Sequence, residues 1–332
     1  MPELLEVENL RVRYRTMGAL KAKLAGVSDP FLDAVFDVSF TLQAGRTLAL
    51  VGESGSGKTT LGRAILGLVP VHGGTIRFNG KATQGTSDKA FQPLRRQIAM
   101  MFQDPVASLS PRLTVKSLIT EPFLIHGLTG RNLDDEARRL LDMVGLPASF
   151  VARYPHELSG GQARRVGVAR ALALAPKLII ADEPTAGLDV SVQGEILNLM
   201  NRLQKELGLA YLIITHNLAV VRHISDEMAI MYMGRFVERG PTARIFAAPS
   251  HPYTHGLLAA EPHPDPDRRR QSVELKGEVP SLARRPSGCE FHTRCPIARD
   301  NCRIEAPVPH DMGPGHRVLC HYPLAGDQAR VA

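Results

Sequence analysis

Apolar residues follow two rhythms along this chain of 332 residues. In three places they run on almost without a break: TLALVG at 47–52, KLIIADE at 177–183 and LAYLIITH at 209–216. Runs this short and continuous predict strands buried on both faces, as in a parallel sheet covered by helices. Elsewhere the apolar positions recur at helical spacing. In GEILNLMNRLQKELG (194–208), Ile196, Leu197, Met200, Leu203 and Leu207 share one face, and Gly208 is the stop. Strands alternating with such helices define an α/β doubly wound domain. No internal repeat is visible.

The texture changes near Pro241. Thirteen of the 24 prolines lie in residues 241–332, and helical periodicity fades after HGLLAAEP. EPHPDPDRRR (261–270) reads as an exposed connector, because proline can complete neither a helix nor a sheet ladder. The boundary falls near 250 to 265, giving a main domain over 1–250 and an extension over 251–332.

Composition narrows the classes. A chain 44% hydrophobic and 22% charged is ordinary for a globular protein. No apolar stretch approaches the roughly 18 residues needed to span a bilayer. The start, MPELLEVENL, lacks the basic-then-apolar order of a signal peptide, so a cytosolic setting with reduced thiols is expected. The net charge of +7 is spread out, with short runs such as Arg268–Arg270 and Arg284–Arg285. No aromatic residues interleave with them, so nucleic acid is not an expected partner.

The chemistry begins at GESGSGKT, directly after the strand TLALV. Gly52, Gly55 and Gly57 let the backbone turn so that successive N–H groups form an anion nest, and the following helix adds its positive end. Glu53, Ser54, Ser56 and Thr60 complete the loop. Lys58 is placed to reach the β- and γ-phosphates of a nucleotide, and Thr59 to ligate Mg²⁺. LIIADE supplies the acids such a site needs: Asp182 for the metal's water shell and, one residue on, Glu183 to polarise an attacking water.

With LSGGQ at 158–162, inside ELSGGQARRVGVARAL, the chain resembles the ATP-binding cassette (ABC) ATPases. Ser159, Gly160, Gly161 and Gln162 open a second helix, running to about Ala173, whose N-terminus can bind phosphate. The resemblance implies a P-loop NTPase fold: a RecA-like parallel core, an antiparallel β subdomain and a helical subdomain over about 104–170. It also implies a head-to-tail dimer, each ATP held between one protomer's P-loop and the other's signature. By the same resemblance Gln103 in MFQDP is the Q-loop glutamine, contacting Mg²⁺ or water. AGLD (186–189) occupies the D-loop, where many relatives have Ser-Ala-Leu-Asp, and Asp189 is retained. His216 is the switch histidine that bonds the γ-phosphate, and Tyr14 the aromatic that stacks on adenine.

Within the family, VGESGSGKTTLGRAILGL, MFQDPVASLSPRLTV, DEPTAGLDVSVQGEIL and HPYTHGLLAAEP are similar to ATPase subunits of oligopeptide, dipeptide and nickel importers. The insert at 15–34 and TTLGR look more like the second, F-type subunit than the first. This implies a peripheral protein on the cytoplasmic face of the membrane, paired with a second cassette in a heterodimer. Two permease subunits and an external solute-binding protein complete the expected set, with peptide or nickel as the solute. A soluble repair or translation ATPase is the alternative of another class. Such proteins carry a long coiled-coil insertion or two cassettes per chain, and neither pattern is present.

All four cysteines lie in the extension, as C-x5-C-x6-C-x17-C from Cys289 through Cys295 and Cys302 to Cys320. They read either as buried thiols or as a metal staple for a segment with little core of its own. Zinc sites usually include a closer pair, although His292, His310, His316 and His321 are alternative ligands. Four thiolates also suit a [4Fe–4S] cluster. Resemblance to peptide-importer ATPases with similar tails implies that cluster, in a structural role.

Overall fold

The computed structural model describes the chain except residues 1–2, 19–20, 22–23, 25–29, 84–87, 104–107, 129, 262–274, 276 and 327–332. Residues 19–20, 22–23 and 25–29 of the 15–34 insert, the connector at 262–270 and Arg268–Arg270 therefore lie outside the described residues. Strands run in chain order as β1 (Glu3–Arg15), β2 (Phe31–Gln43), β3 (Thr47–Val51), β4 (Gly73–Phe78), β5 (Lys81–Ala82) and β6 (Ile98–Met101). They continue as β7 (Leu178–Asp182), β8 (Ala210–Thr215), β9 (Glu227–Tyr232), β10 (Arg235–Pro241), β11 (Pro309–Asp311) and β12 (Arg317–Leu319).

The chain forms two compact units. One gathers Leu42–Thr47 and Gly85–Thr215 with the first few residues. In it β6, β7 and β8 pair in parallel, with Ile180 opposite both Met100 and Leu212. Every residue of β7 and β8 is buried, as expected of strands covered on both faces. Helices Val115–Ile125, Leu133–Met143 and Gly160–Leu172 pack on one another in the same unit. Each begins at a side-chain cap: Thr114, Asn132 and Ser159.

The helix predicted over 194–208 starts four residues earlier and spans Val190–Leu207, because Asp189 accepts the Val192 N–H at 2.9 Å. Ile196, Leu197, Met200 and Leu203 are buried as expected, but Leu207 is 47% exposed in the last turn. Gly208, with φ 66°, closes the helix.

The second unit comprises Leu5–Thr41, Leu48–Gln84 and His216–Ala332. It holds an antiparallel sheet in the order β2-β1-β4-β5, the β subdomain implied by the resemblance. It also holds a second pairing, where β3 lies parallel to β9 and β9 antiparallel to β10. The extension joins this sheet: β12 pairs antiparallel with β10, placing Val318 opposite Glu238, and β11 pairs with β12.

The extension also lacks the thin core that its proline content suggested. Phe291, 1% exposed, packs with Tyr232 and Tyr253, and Ile230, Cys289 and Cys302 belong to the same cluster. Its core is borrowed from the sheet that it covers.

Candidate nucleotide site and the cysteine-rich extension

The phosphate loop links the wholly buried β3 to the helix Lys58–Ile65. Glycine is required at both ends of the loop. A Cβ on Gly52, at φ 155°, would stand 2.2 Å from the Met231 carbonyl oxygen, and one on Gly57, at φ 104°, 2.3 Å from that of Ala34. Gly57 is the N-cap and has no side chain to cap the helix, so the helix dipole and the backbone N–H groups of its start face the loop. Lys58 is 8% exposed and its ammonium donates to the carbonyls of Gly52 at 2.7 Å and Glu53 at 2.9 Å, and to Ser56 Oγ at 3.2 Å. Thr59 and Thr60 are half-buried, while Ser54 and Gly55 are exposed. Tyr14 stands near the end of β1 with its ring 38% exposed.

In the other unit, Asp182 ends β7 and is 5% exposed. Glu183 follows at φ 49°, a left-handed conformation that costs a non-glycine residue about 1 kcal/mol or more. Its N–H donates to the Ile214 carbonyl at 2.8 Å, and its carboxylate accepts the Thr215 hydroxyl at 3.1 Å. Two bonds to β8 thus hold the strained residue at the strand's carboxyl end. His216, which follows β8 in sequence and opens the last stretch of the second unit, is exposed; Asn217 beside it caps the next helix, Leu218–Ile224, through bonds to the Ala219 and Val220 N–H groups.

The signature segment builds its own helix start. Ser159 Oγ accepts the Gln162 N–H at 3.3 Å, and the Gln162 side chain accepts the Ser159 N–H at 3.1 Å, a reciprocal capping box. Gly161 is needed for packing, since a Cβ there would meet Val192 Cγ1 at 2.7 Å. Two residues beyond Gln162, Arg164 is 1% exposed and donates to the carbonyls of Gln103 at 3.2 Å and Ala186 at 2.8 Å. One guanidinium thereby joins the backbone at Gln103, the helix Gly160–Leu172 and the turn before Asp189. Sequence reasoning passed over Arg164. Its only signal is an arginine on the helix face that also carries Val168 and Ala171, which are buried.

In the extension, Cys289, Cys295, Cys302 and Cys320 are free thiols that line one pocket with His292 and His321. Burial pushes the Cys295 thiol up to about 11 and Cys320 up to about 12. Two of the alternative ligands are elsewhere. His316 Nε2 bonds buried Glu238 at 2.7 Å, and His310 is an exposed residue of β11. Among the described residues, no group of three or more His, Cys, Asp or Glu side chains is arranged to hold a metal ion. Neither zinc nor the expected [4Fe–4S] cluster is therefore supported by the geometry.

Residues 35–186 match the family described as ABC transporter, and residues 237–302 match the oligopeptide/dipeptide transporter C-terminal region. The probable peptide ABC transporter ATP-binding protein y4tS of Sinorhizobium fredii is 49% identical over 330 residues, covering 99% of this chain and 92% of that one. The oligopeptide transport ATP-binding protein AppF of Bacillus subtilis is 48% identical over 292 residues, 87% of this chain and 89% of that one. Among solved structures, the dimeric post-hydrolysis state of the ATP-binding cassette MJ0796 bound to ADP and Pi superposes with a TM-score of 0.63. It is 27% identical, covering 72% of this chain and 99% of that one. The chain belongs to the ATP-binding proteins of ABC transporters, and within them to those carrying the oligopeptide/dipeptide C-terminal region. It is an ATPase with the cassette fold.

Proposed function

We propose that this chain powers the import of peptides across the cytoplasmic membrane, as a peripheral subunit on the cytoplasmic face. It works with a second cassette, two permease subunits and an external solute-binding protein. The observation that carries the ATPase half of this reading is the glycine-bounded loop that ends at the start of the helix Lys58–Ile65 and holds the buried Lys58. The peptide half rests on relatives of 48–49% identity that are described as peptide and oligopeptide transport proteins.

In this reading residues 1–250 form the cassette, with its helical part at about 104–170, and 251–332 the extension. Residues Gly52 to Thr60 cradle the triphosphate and Tyr14 stacks on adenine. Thr59, Gln103 and Asp182 hold Mg²⁺, which would neutralise charge on the phosphates. Glu183 orients and deprotonates the attacking water, and His216 bonds the γ-phosphate. Ser159, Gly160, Gly161 and Gln162 face the nucleotide of the partner cassette, with Asp189 at the dimer contact. The pocket of four thiols keeps a [4Fe–4S] cluster as the finer reading of the extension: what speaks for it is the donor chemistry and their common pocket.

The test is reconstitution of the chain with its permease in vesicles. ATP hydrolysis should rise when peptide and the solute-binding protein are added on the outside, and peptide should accumulate inside. Stimulation by nickel in place of peptide would overturn the solute; stimulation by neither would overturn transport.

A further inference from the structure

Glu53 stands second in the phosphate loop, where anion binding alone asks for no carboxylate. A negative group beside an anion nest opposes a bound phosphate. The extension supplies the compensating charge. Arg294 Nη1 donates to Glu53 Oε2 at 3.0 Å and Nη2 to Oε1 at 3.1 Å, a two-pronged pair spanning 241 positions of sequence. The two side chains are 7% and 27% exposed, so water screens the pair only weakly.

Glu53 is held a second time through its backbone, where its N–H donates to the Tyr253 hydroxyl at 3.1 Å. Both clamps stand on one aromatic cluster. Tyr232 and Tyr253 meet at 4.9 Å between centroids, Phe291 lies 5.4 Å from each, and the Arg294 guanidinium sits 5.9 Å over Tyr232. Arg294 is one residue before Cys295, and its own N–H bonds the Phe291 carbonyl at 3.0 Å. Its placement therefore follows from how the cysteine-rich turn folds.

We propose that Arg294 is a positioning residue for the phosphate loop: it neutralises Glu53 and, with Tyr253, fixes the loop's first turn, so that nucleotide affinity depends on the C-terminal extension. This rests on the loop being the nucleotide site. The extension is then more than a staple folding itself, because it holds the loop of which Lys58 and Thr59 are part.

The experiment measures binding of a fluorescent ATP analogue, steady-state hydrolysis and thermal melting on the full chain. Arg294→Gln should weaken affinity and raise KM for ATP about tenfold, as expected for losing a charge-assisted pair, with kcat at saturating ATP nearly unchanged. The loss should be larger at low ionic strength. Adding Glu53→Gln to Arg294→Gln should recover most of the affinity, because the uncompensated carboxylate is gone. Arg294→Lys should recover part of it, since an ammonium keeps the charge without the fork.

Wild-type affinity in folded Arg294→Gln would overturn the proposal, as would a double variant no better than the single one. Should Arg294→Gln fail to fold, Tyr253→Phe decides. It keeps the ring and removes only the acceptor for the Glu53 N–H. Weaker binding at an unchanged melting temperature supports the clamp, and wild-type affinity overturns it. Lys58→Ala separates the two levels of the argument: if it binds ATP like the wild type, the loop is not the nucleotide site.

Discussion

The Thr215 hydroxyl donates to the Glu183 carboxylate at 3.1 Å, joining the last residue of β8 to the one after β7. Glu183 also donates its N–H to Ile214, so side chain and backbone are both tied to the neighbouring strand. The left-handed conformation and these two bonds fix the position of the carboxylate, for which the proposed role is that of the base. Glu183→Gln should therefore cut ATP hydrolysis about 10²-fold or more while nucleotide still binds. Thr215→Val should lower kcat by a smaller factor, with KM for ATP unchanged. Steady-state ATPase kinetics check both, and wild-type turnover by Glu183→Gln would remove it as the base.

Arg164→Gln should destabilise its unit by about 2 kcal/mol, because the carbonyls of Gln103 and Ala186 lose a shared charged donor inside the protein. Arg164→Lys should rescue little, since one ammonium lacks the planar fork that reaches two carbonyls. Denaturant titration of the two variants is the measurement.

Phe291→Ala should cost about 3–5 kcal/mol, the usual range for deleting a fully buried ring. The ring is 1% exposed and lies edge-on to Tyr232. Because the same cluster supports Tyr253 and Arg294, ATP affinity should fall together with the melting temperature. A variant that loses stability but binds ATP normally would separate the two.

Acid should loosen the extension. His251 is buried and its pKa is lowered to about 4, burial outweighing the opposing pull of Glu238 and the Leu319 carbonyl. Its folded value lies below the unfolded value of 6.5, so its contribution is fully present above pH 6.5 and is lost as pH falls toward 4. The loss should reach about 3 kcal/mol below that value. Melting followed between pH 7 and 4 should show it, and His251→Gln should flatten the profile.

If the four thiols hold a [4Fe–4S] cluster, protein purified without oxygen should be brown and carry iron and acid-labile sulfide in proportion. Cys302→Ser should lose both. A colourless preparation with stoichiometric zinc and no iron would replace that assignment.

The motifs that proved readable are those where a short stretch of backbone builds its own geometry. GESGSGKT needs glycine at 52 and 57 because a Cβ would strike a carbonyl, and such a requirement shows in the residue itself. Ser159 and Gln162 cap each other within one turn, and LIIAD and AYLIIT are buried along their whole length. The readings that needed correction depended on distant partners. Leu207 fits the apolar face yet ends in solvent, and His316 is held by Glu238, 78 positions away.

Local sequence thus determined the phosphate loop, the signature helix, the strand ending in Asp182 and the family to which they belong, because each is set by residues within a few positions of one another. Tertiary structure decided what the extension does with the cassette. β12 adds to β10, Phe291 enters the core between Tyr232 and Tyr253, and Arg294 reaches Glu53. No spacing rule pairs an arginine with a glutamate 241 residues earlier; only the folded sheet brings the two charges within 3.0 Å and away from the water that would have screened them.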